Sequence, residues 1–183
     1  MKFRIFAILS LIAGSFAFAS CIDDEATDAT ILANDKAAIL AYVDTTTIVN
    51  VKEFHDEESG IRMIWQLEAQ PDTITEFYST DTVTVNYTGK FLTDQVFETT
   101  LESVARANQI YNQNKTYEPV QFILGSVIAG FQFGISQMET GEKATVFVPS
   151  RYAYGRNGQG NIGANTPLIF ELELVKVNPG PRN

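Results

Sequence analysis

Hydrophobic and polar positions alternate most cleanly in two stretches of the chain. In TVTVNYTGKF, from Thr82, Val83, Val85 and Tyr87 fall on one side and Thr82, Thr84, Asn86 and Thr88 on the other. In PLIFELELVKV, from Pro167, Leu168, Phe170, Leu172 and Leu174 share one side, with Glu171 and Glu173 opposite. A period of two marks a strand with one buried face. IRMIWQLEA alternates in part, with Ile61, Met63 and Trp65 together. EPVQFILG and KATVFVP add two more strands, and TGKFLTDQVFE has the spacing of a strand, a turn and a second strand. TTTIVNVKEF is β-branched and extended, and HDEESG is a turn with Gly60 at its end.

Helical spacing occurs in VIAGFQFGISQMETGEK. Ile128, Phe131, Ile135 and Met138 fall on one stripe, and Gly141 stands where a glycine would end the helix. In NDKAAILAYVD, Asn34 as cap and the apolar Ile39, Leu40 and Val43 predict a short helix after a polar tether over residues 22–33. LESVARANQIYNQNKTY, residues 101–117, is polar, partly helical, and reads as an insertion on a loop. Five or six strands with one short central helix give an α+β fold, a mostly antiparallel sheet packed on that helix.

The first twenty residues have a different pattern. Lys2 and Arg4 precede an apolar run from Ile5 to about Ala19, the layout of an export signal. The run is shorter than the roughly 20 residues of a spanning helix. It ends in FASC, which resembles the lipobox of bacterial lipoproteins and makes Cys21 the expected lipidation site. Cys21 is the only cysteine, so an exported chain has no internal disulfide to make. Acyl chains on Cys21, at about 0.8 kcal/mol per buried CH₂, would anchor the protein to a membrane of the cell envelope. The layout expected is therefore a signal over 1–20, a lipidated tether and arm over 21–58, a folded domain over 59–178 and a tail over 179–183.

The net charge is −9, and loss of Lys2 and Arg4 with the signal takes it to −11. Such a chain suits no nucleic-acid partner, because phosphate neutralisation needs clustered Lys and Arg. His55 is the only histidine and lies among acidic residues. It reads as a solvated loop residue rather than a metal ligand, and nothing near it suggests the nucleophile of a Ser-His-Asp or Cys-His site. The glycines of GRNGQGNIGAN lack the G-K-[ST] ending of a phosphate cradle and open no helix.

The motifs VTVNYTGKF, VFETT, FILGSVIAGFQFGISQMETGEKA, PSRYAYG and TPLIFELELVKV, in that order over roughly residues 59–178, resemble the FKBP-type peptidyl-prolyl isomerases. The resemblance implies a twisted antiparallel sheet wrapped around one short helix. It implies isomerisation of X–Pro bonds with no cofactor and no metal, proline-containing polypeptides as partners, and macrolides as inhibitors. The barrier is amide resonance, about 18–20 kcal/mol. A catalyst therefore need only favour the twisted amide.

Carried over by motif, the resemblance places Tyr87, Phe97 and Glu98 on the pocket wall with Val120 beside them. Val127 and Ile128 lead into the helix, and the Ile128 N–H would bind the substrate carbonyl. Phe131 would be the floor, Tyr154 would donate its hydroxyl, and Ile162 and Phe170 would close the far wall. Two of these positions depart from the family pattern, which has Trp where Phe131 stands and Asp where Glu98 stands. Both departures imply weaker catalysis and weaker macrolide binding. They leave open a non-catalytic peptide-binding or chaperone module of a surface lipoprotein complex. A third departure, Gly163 and Ala164 in place of a proline pair, implies a looser rim.

Overall fold

The computed structural model describes residues 24–69 and 76–182. The export signal and Cys21 lie outside the described residues. Seven strands form one antiparallel sheet: β1 Lys52–His55, β2 Arg62–Leu67, β3 Thr82–Phe91, β4 Val96–Thr99, β5 Val120–Ile123, β6 Lys143–Val148 and β7 Leu168–Asn178. Their order is β1-β2-β6-β7-β3-β4. β5 pairs with the first half of β3, and β4 with the second half. Among the described residues three α-helices accompany them: α1 Asp24–Thr45, α2 Glu102–Ala107 and α3 Ala129–Ser136.

The alternation in β3 and β7 sets the inner face of the sheet. Val83 and Val85 from β3, Ala144, Val146 and Val148 from β6, and Leu168, Phe170, Leu172 and Leu174 from β7 join Met63 and Trp65 in the main core, with α3 packed on them. The helix approaches closely because its inward positions include Gly130 and Gly134. A methyl group there would stand 2.2 Å from Val148 and 2.8 Å from Val146. That close approach seats Phe131 and Ile135 in the core.

α3 is shorter than its apolar stripe predicts. It ends at Ser136, where the Gln137 and Met138 N–H groups bond the carbonyls of Gly134 and Ile135 and tighten the last turn. Met138 is still buried. Gly141, at φ +94°, turns the chain toward β6 rather than closing the helix.

α1 differs more. The tether expected over 22–33 is helical from Asp24, and Asn34 lies inside one continuous helix of 22 residues. The segment holds Ala, Ile and Leu with no Gly or Pro, so nothing interrupts it. Ile39 packs with Ile64, Phe147 and Ile169 on the outer face of the sheet, and the Tyr42 ring lies 5.9 Å from that of Phe147. Leu40, expected on the apolar side, is 49% exposed.

The buried Asp35 carboxylate accepts hydrogen bonds from the Ser150 N–H at 2.8 Å and the Ser150 hydroxyl at 2.6 Å. Arg156 donates to Asp28 at 2.8 Å through Nε. The arm is thus fastened to the segment that follows β6. The expected tail is fastened too: the Gly180 N–H donates to the buried Asp81 at 2.8 Å, and the Arg182 guanidinium pairs with the same carboxylate.

Candidate functional site

A cavity of about 390 Å³ opens on the inner face, between α3, β3, β4 and the segment after β6. It is lined by Tyr87, Phe97, Phe122, Phe131, Tyr154 and Phe170, with Glu98, Ser126, Val127 and Ile128 at its edge. Phe131 is at the centre. Its ring meets Tyr87 at 5.8 Å, Phe122 at 5.9 Å and Phe170 at 5.4 Å, each edge to face. Edge-to-face contacts fix ring orientation as well as burying area.

Local structure explains each placement. Tyr87 and Phe170 continue the inward alternation of β3 and β7. Phe97, on β4, lies against Gly89 of β3, where a Cβ would stand 2.4 Å from the ring. Gly89 therefore lets the Phe97 ring settle onto the strand, 6.1 Å from Phe170. Thr100 ties the chain after β4 back to Tyr87, with its N–H on the Tyr87 carbonyl and its Oγ1 accepting from the Tyr87 N–H. Ile128 precedes α3 in extended conformation, and its carbonyl accepts the Gln132 N–H.

The electrostatics centre on Glu98. Burial pushes the Tyr87 hydroxyl well above its ordinary pKa, and the Glu98 carboxylate nearby adds to the shift as a charge and as an acceptor. Burial and then the same carboxylate raise the Tyr154 hydroxyl. Both phenols thus stay protonated donors at neutral pH. Lys115 Nζ stands 3.4 Å from Glu98 Oε1.

Of the residues expected at the site, Tyr87, Phe97, Glu98, Val127, Ile128, Phe131, Tyr154 and Phe170 meet in this one cavity. Ile162 does not line it. It is buried and lines an adjoining cavity that shares Phe97, Glu98 and Tyr154. Val120 is half-buried on β5 against the core, opposite Val85, and is absent from the lining. Phe122 takes the wall instead, and Ser126 the edge. The signal for Phe122 was in PVQF, where alternation puts it on the same side as Val120 with a larger ring. The glycine segment is cross-braced: Gln159 and Ile162 exchange N–H···O bonds of 2.9 Å, and the Asn165 N–H reaches the Gly155 carbonyl at 2.8 Å.

A sheet wrapped on one helix leaves an aromatic cavity that ends at the helix N-terminus, lined by rings that suit an apolar guest. The family model of FKBP-type peptidyl-prolyl cis-trans isomerases matches residues 75–175, and the chain belongs to that family. It is 33% identical over 129 residues to a probable FKBP-type peptidyl-prolyl cis-trans isomerase of Haemophilus influenzae, covering 70% of this chain and 47% of that protein. It is 37% identical over 120 residues to FkpA of Aeromonas hydrophila, covering 66% and 39%. The chain thus spans less than half the length of these two relatives. The crystal structure of FkpA from Escherichia coli superposes with a TM-score of 0.60 at 25% identity, over 86% of this chain and 65% of that one. A peptidyl-prolyl cis-trans isomerase from Pseudomonas syringae gives 0.58 at 26%, over 82% and 96%.

Proposed function

We propose that the protein accelerates cis–trans isomerisation of X–Pro bonds in exported or envelope polypeptides. The observation that carries this reading is the aromatic cavity floored by Phe131, walled by Tyr87, Phe97, Phe122 and Phe170 and edged by two phenol donors. The proline ring sits against Phe131, and the peptide leaves past Glu98 and Tyr154. Apolar walls strip water from the amide carbonyl, which removes hydrogen bonds that favour the planar form. The twisted amide has lost C–N double-bond character and is held by ring contacts and a phenol. No covalent bond forms and no cofactor takes part. Each 1.36 kcal/mol of preference for the twisted form is worth about tenfold in rate.

The leader pattern over residues 1–20 and Cys21 support an exported protein held to a membrane by lipid. The family relationship supports binding of macrolides of the FK506 type, since one relative, from Eremothecium gossypii, is named FK506-binding protein 1. A proline-limited refolding assay tests the activity, against an uncatalysed phase of about tens to hundreds of seconds. The expected result is a phase that shortens in proportion to added protein and recovers with macrolide. Saturable binding of proline peptides without acceleration would replace this reading by the peptide-binding module that Phe131 and Glu98 suggest.

A further inference from the structure

A second cavity of about 430 Å³ adjoins the first and shares Phe97, Glu98 and Tyr154 with it. Its other walls come from the 101–117 insertion and the glycine segment: Ile110, Asn112, Lys115 and Tyr117 on one side, Asn161 and Ile162 on the other.

The insertion is a built wall. Its tyrosines Tyr111 and Tyr117 stack at 5.6 Å and 14°, and the Arg106 guanidinium covers Tyr111 at 3.6 Å. The Asn112 N–H donates to the Tyr117 hydroxyl at 2.9 Å, and the Lys115 N–H to the Asn112 carbonyl at 3.1 Å. These bonds place Lys115 in the second cavity, 3.4 Å from the shared Glu98. Among the described residues lining the pair, Lys115 is the single cation and Glu98 the single anion. Glu98 is turned to Tyr87 and Tyr154 as well as to Lys115. An ammonium has three donors, and only one is needed for Glu98. The rest are available to the second cavity, beside the amides of Asn112 and Asn161.

We propose that this second cavity holds the peptide segment next to the proline and selects an acidic side chain there through Lys115. The inference rests on the isomerase reading of the first cavity for its substrate. A carboxylate two or three residues from the proline reaches Lys115 without leaving the groove. A cationic side chain at the same place meets Lys115 as like charge and finds the Glu98 carboxylate already paired with it. The insertion then sets specificity, while the aromatic cavity holds the proline.

The test uses the full chain and a pair of proline peptides that differ only in Glu or Lys at a flanking position, with an uncharged Gln peptide as reference. Both kcat/KM and Kd are measured. The Glu peptide is expected to lead the Lys peptide by about three- to fivefold, the scale of a half-exposed ion pair. That ratio should fall toward one in 0.5 M salt, where the Debye length is about 4 Å. Lys115→Glu should invert the order of the two charged peptides, and Lys115→Met, which leaves Glu98 without this partner, should abolish the lead of the Glu peptide. A ratio near one in the native protein, or one unchanged in Lys115→Glu, overturns the proposal. If peptides are accelerated with a flat ratio, the subsite fails and the isomerase reading stands. If the ratio appears in Kd with no acceleration, the isomerase reading fails and the subsite stands.

Discussion

The two faces of the sheet follow different rules. The inner face is apolar along the full length of β3, β6 and β7, covered by α3 and opened at the aromatic cavity. The outer face is apolar at one patch, Ile64, Phe147 and Ile169, where α1 sets down Ile39. Elsewhere it carries ion pairs, Lys90 with Glu171 at 2.6 Å and Lys143 with Glu173 at 3.3 Å. The inner face therefore holds both the fold and the site. The outer face holds an arm, and Asp35 and Asp28 of the arm bond Ser150 and Arg156, on either side of Tyr154.

The largest expected effect separates the two faces directly. Phe131→Ala and Phe147→Ala each remove a buried ring, and each should cost about 3–5 kcal/mol of unfolding free energy in urea. Their effects on catalysis should part company. Phe131→Ala should lower kcat/KM at least tenfold per folded molecule, whereas Phe147→Ala should leave it within about twofold. Equal losses in both would erase the division drawn between the faces.

A smaller effect sharpens the link between arm and rim. Asp35→Ala leaves the Ser150 N–H and hydroxyl without their acceptor, at a cost of about 1–3 kcal/mol. The Ser150 amide should then exchange hydrogen faster than amides in β3. Unchanged exchange at Ser150 would show that the arm does not brace that segment.

The smallest effect is a pH dependence on the outer face. Burial, followed by the Asp94 carboxylate at 2.5 Å, pushes Tyr42 up to about 12 from 10. A raised folded value gives stability that is present below pH 10 and lost as pH climbs toward 12. The urea midpoint should fall between pH 10 and 12, and the fall should be smaller in Tyr42→Phe. An identical fall in both proteins would assign it to other tyrosines.

This comparison also explains what was legible in the sequence. The inner face was readable because alternation and burial coincide: Val83, Val85, Leu168, Phe170, Leu172 and Leu174 are all core. Eight of the ten residues that the family resemblance points to line one cavity, Val120 and Ile162 being the two that do not. Alternation alone does not reveal the outer patch. Its signals were the exceptions to alternation, Ile64, Phe147 and Ile169, apolar where a polar residue was due. Phe147 pairs with Ile169 and Ile64 lies opposite Thr145, so the three become neighbours only once the register is known. The arm departs from its expected tether for a related reason. Acidic residues over 22–33 suggested a solvated tether, yet acids favour a helix N-terminus and the segment has no breaker. Phe122 was missed because one strand offered two inward residues and only the size of the cavity distinguishes them.

The position of β7 in the sheet has a consequence for the order in which the molecule comes into being. β7 is the last strand in chain order, yet it lies between β6 and β3 and carries Phe170. Its partner β3 is separated from it by more than seventy residues of chain. Pairing at that separation is slow, because a long loop must close before the contact forms. During synthesis, β3, β4 and α3 emerge well before the strand that joins them. The cavity lacks its Phe170 wall until β7 arrives, so the chain that emerges before it holds an incomplete groove.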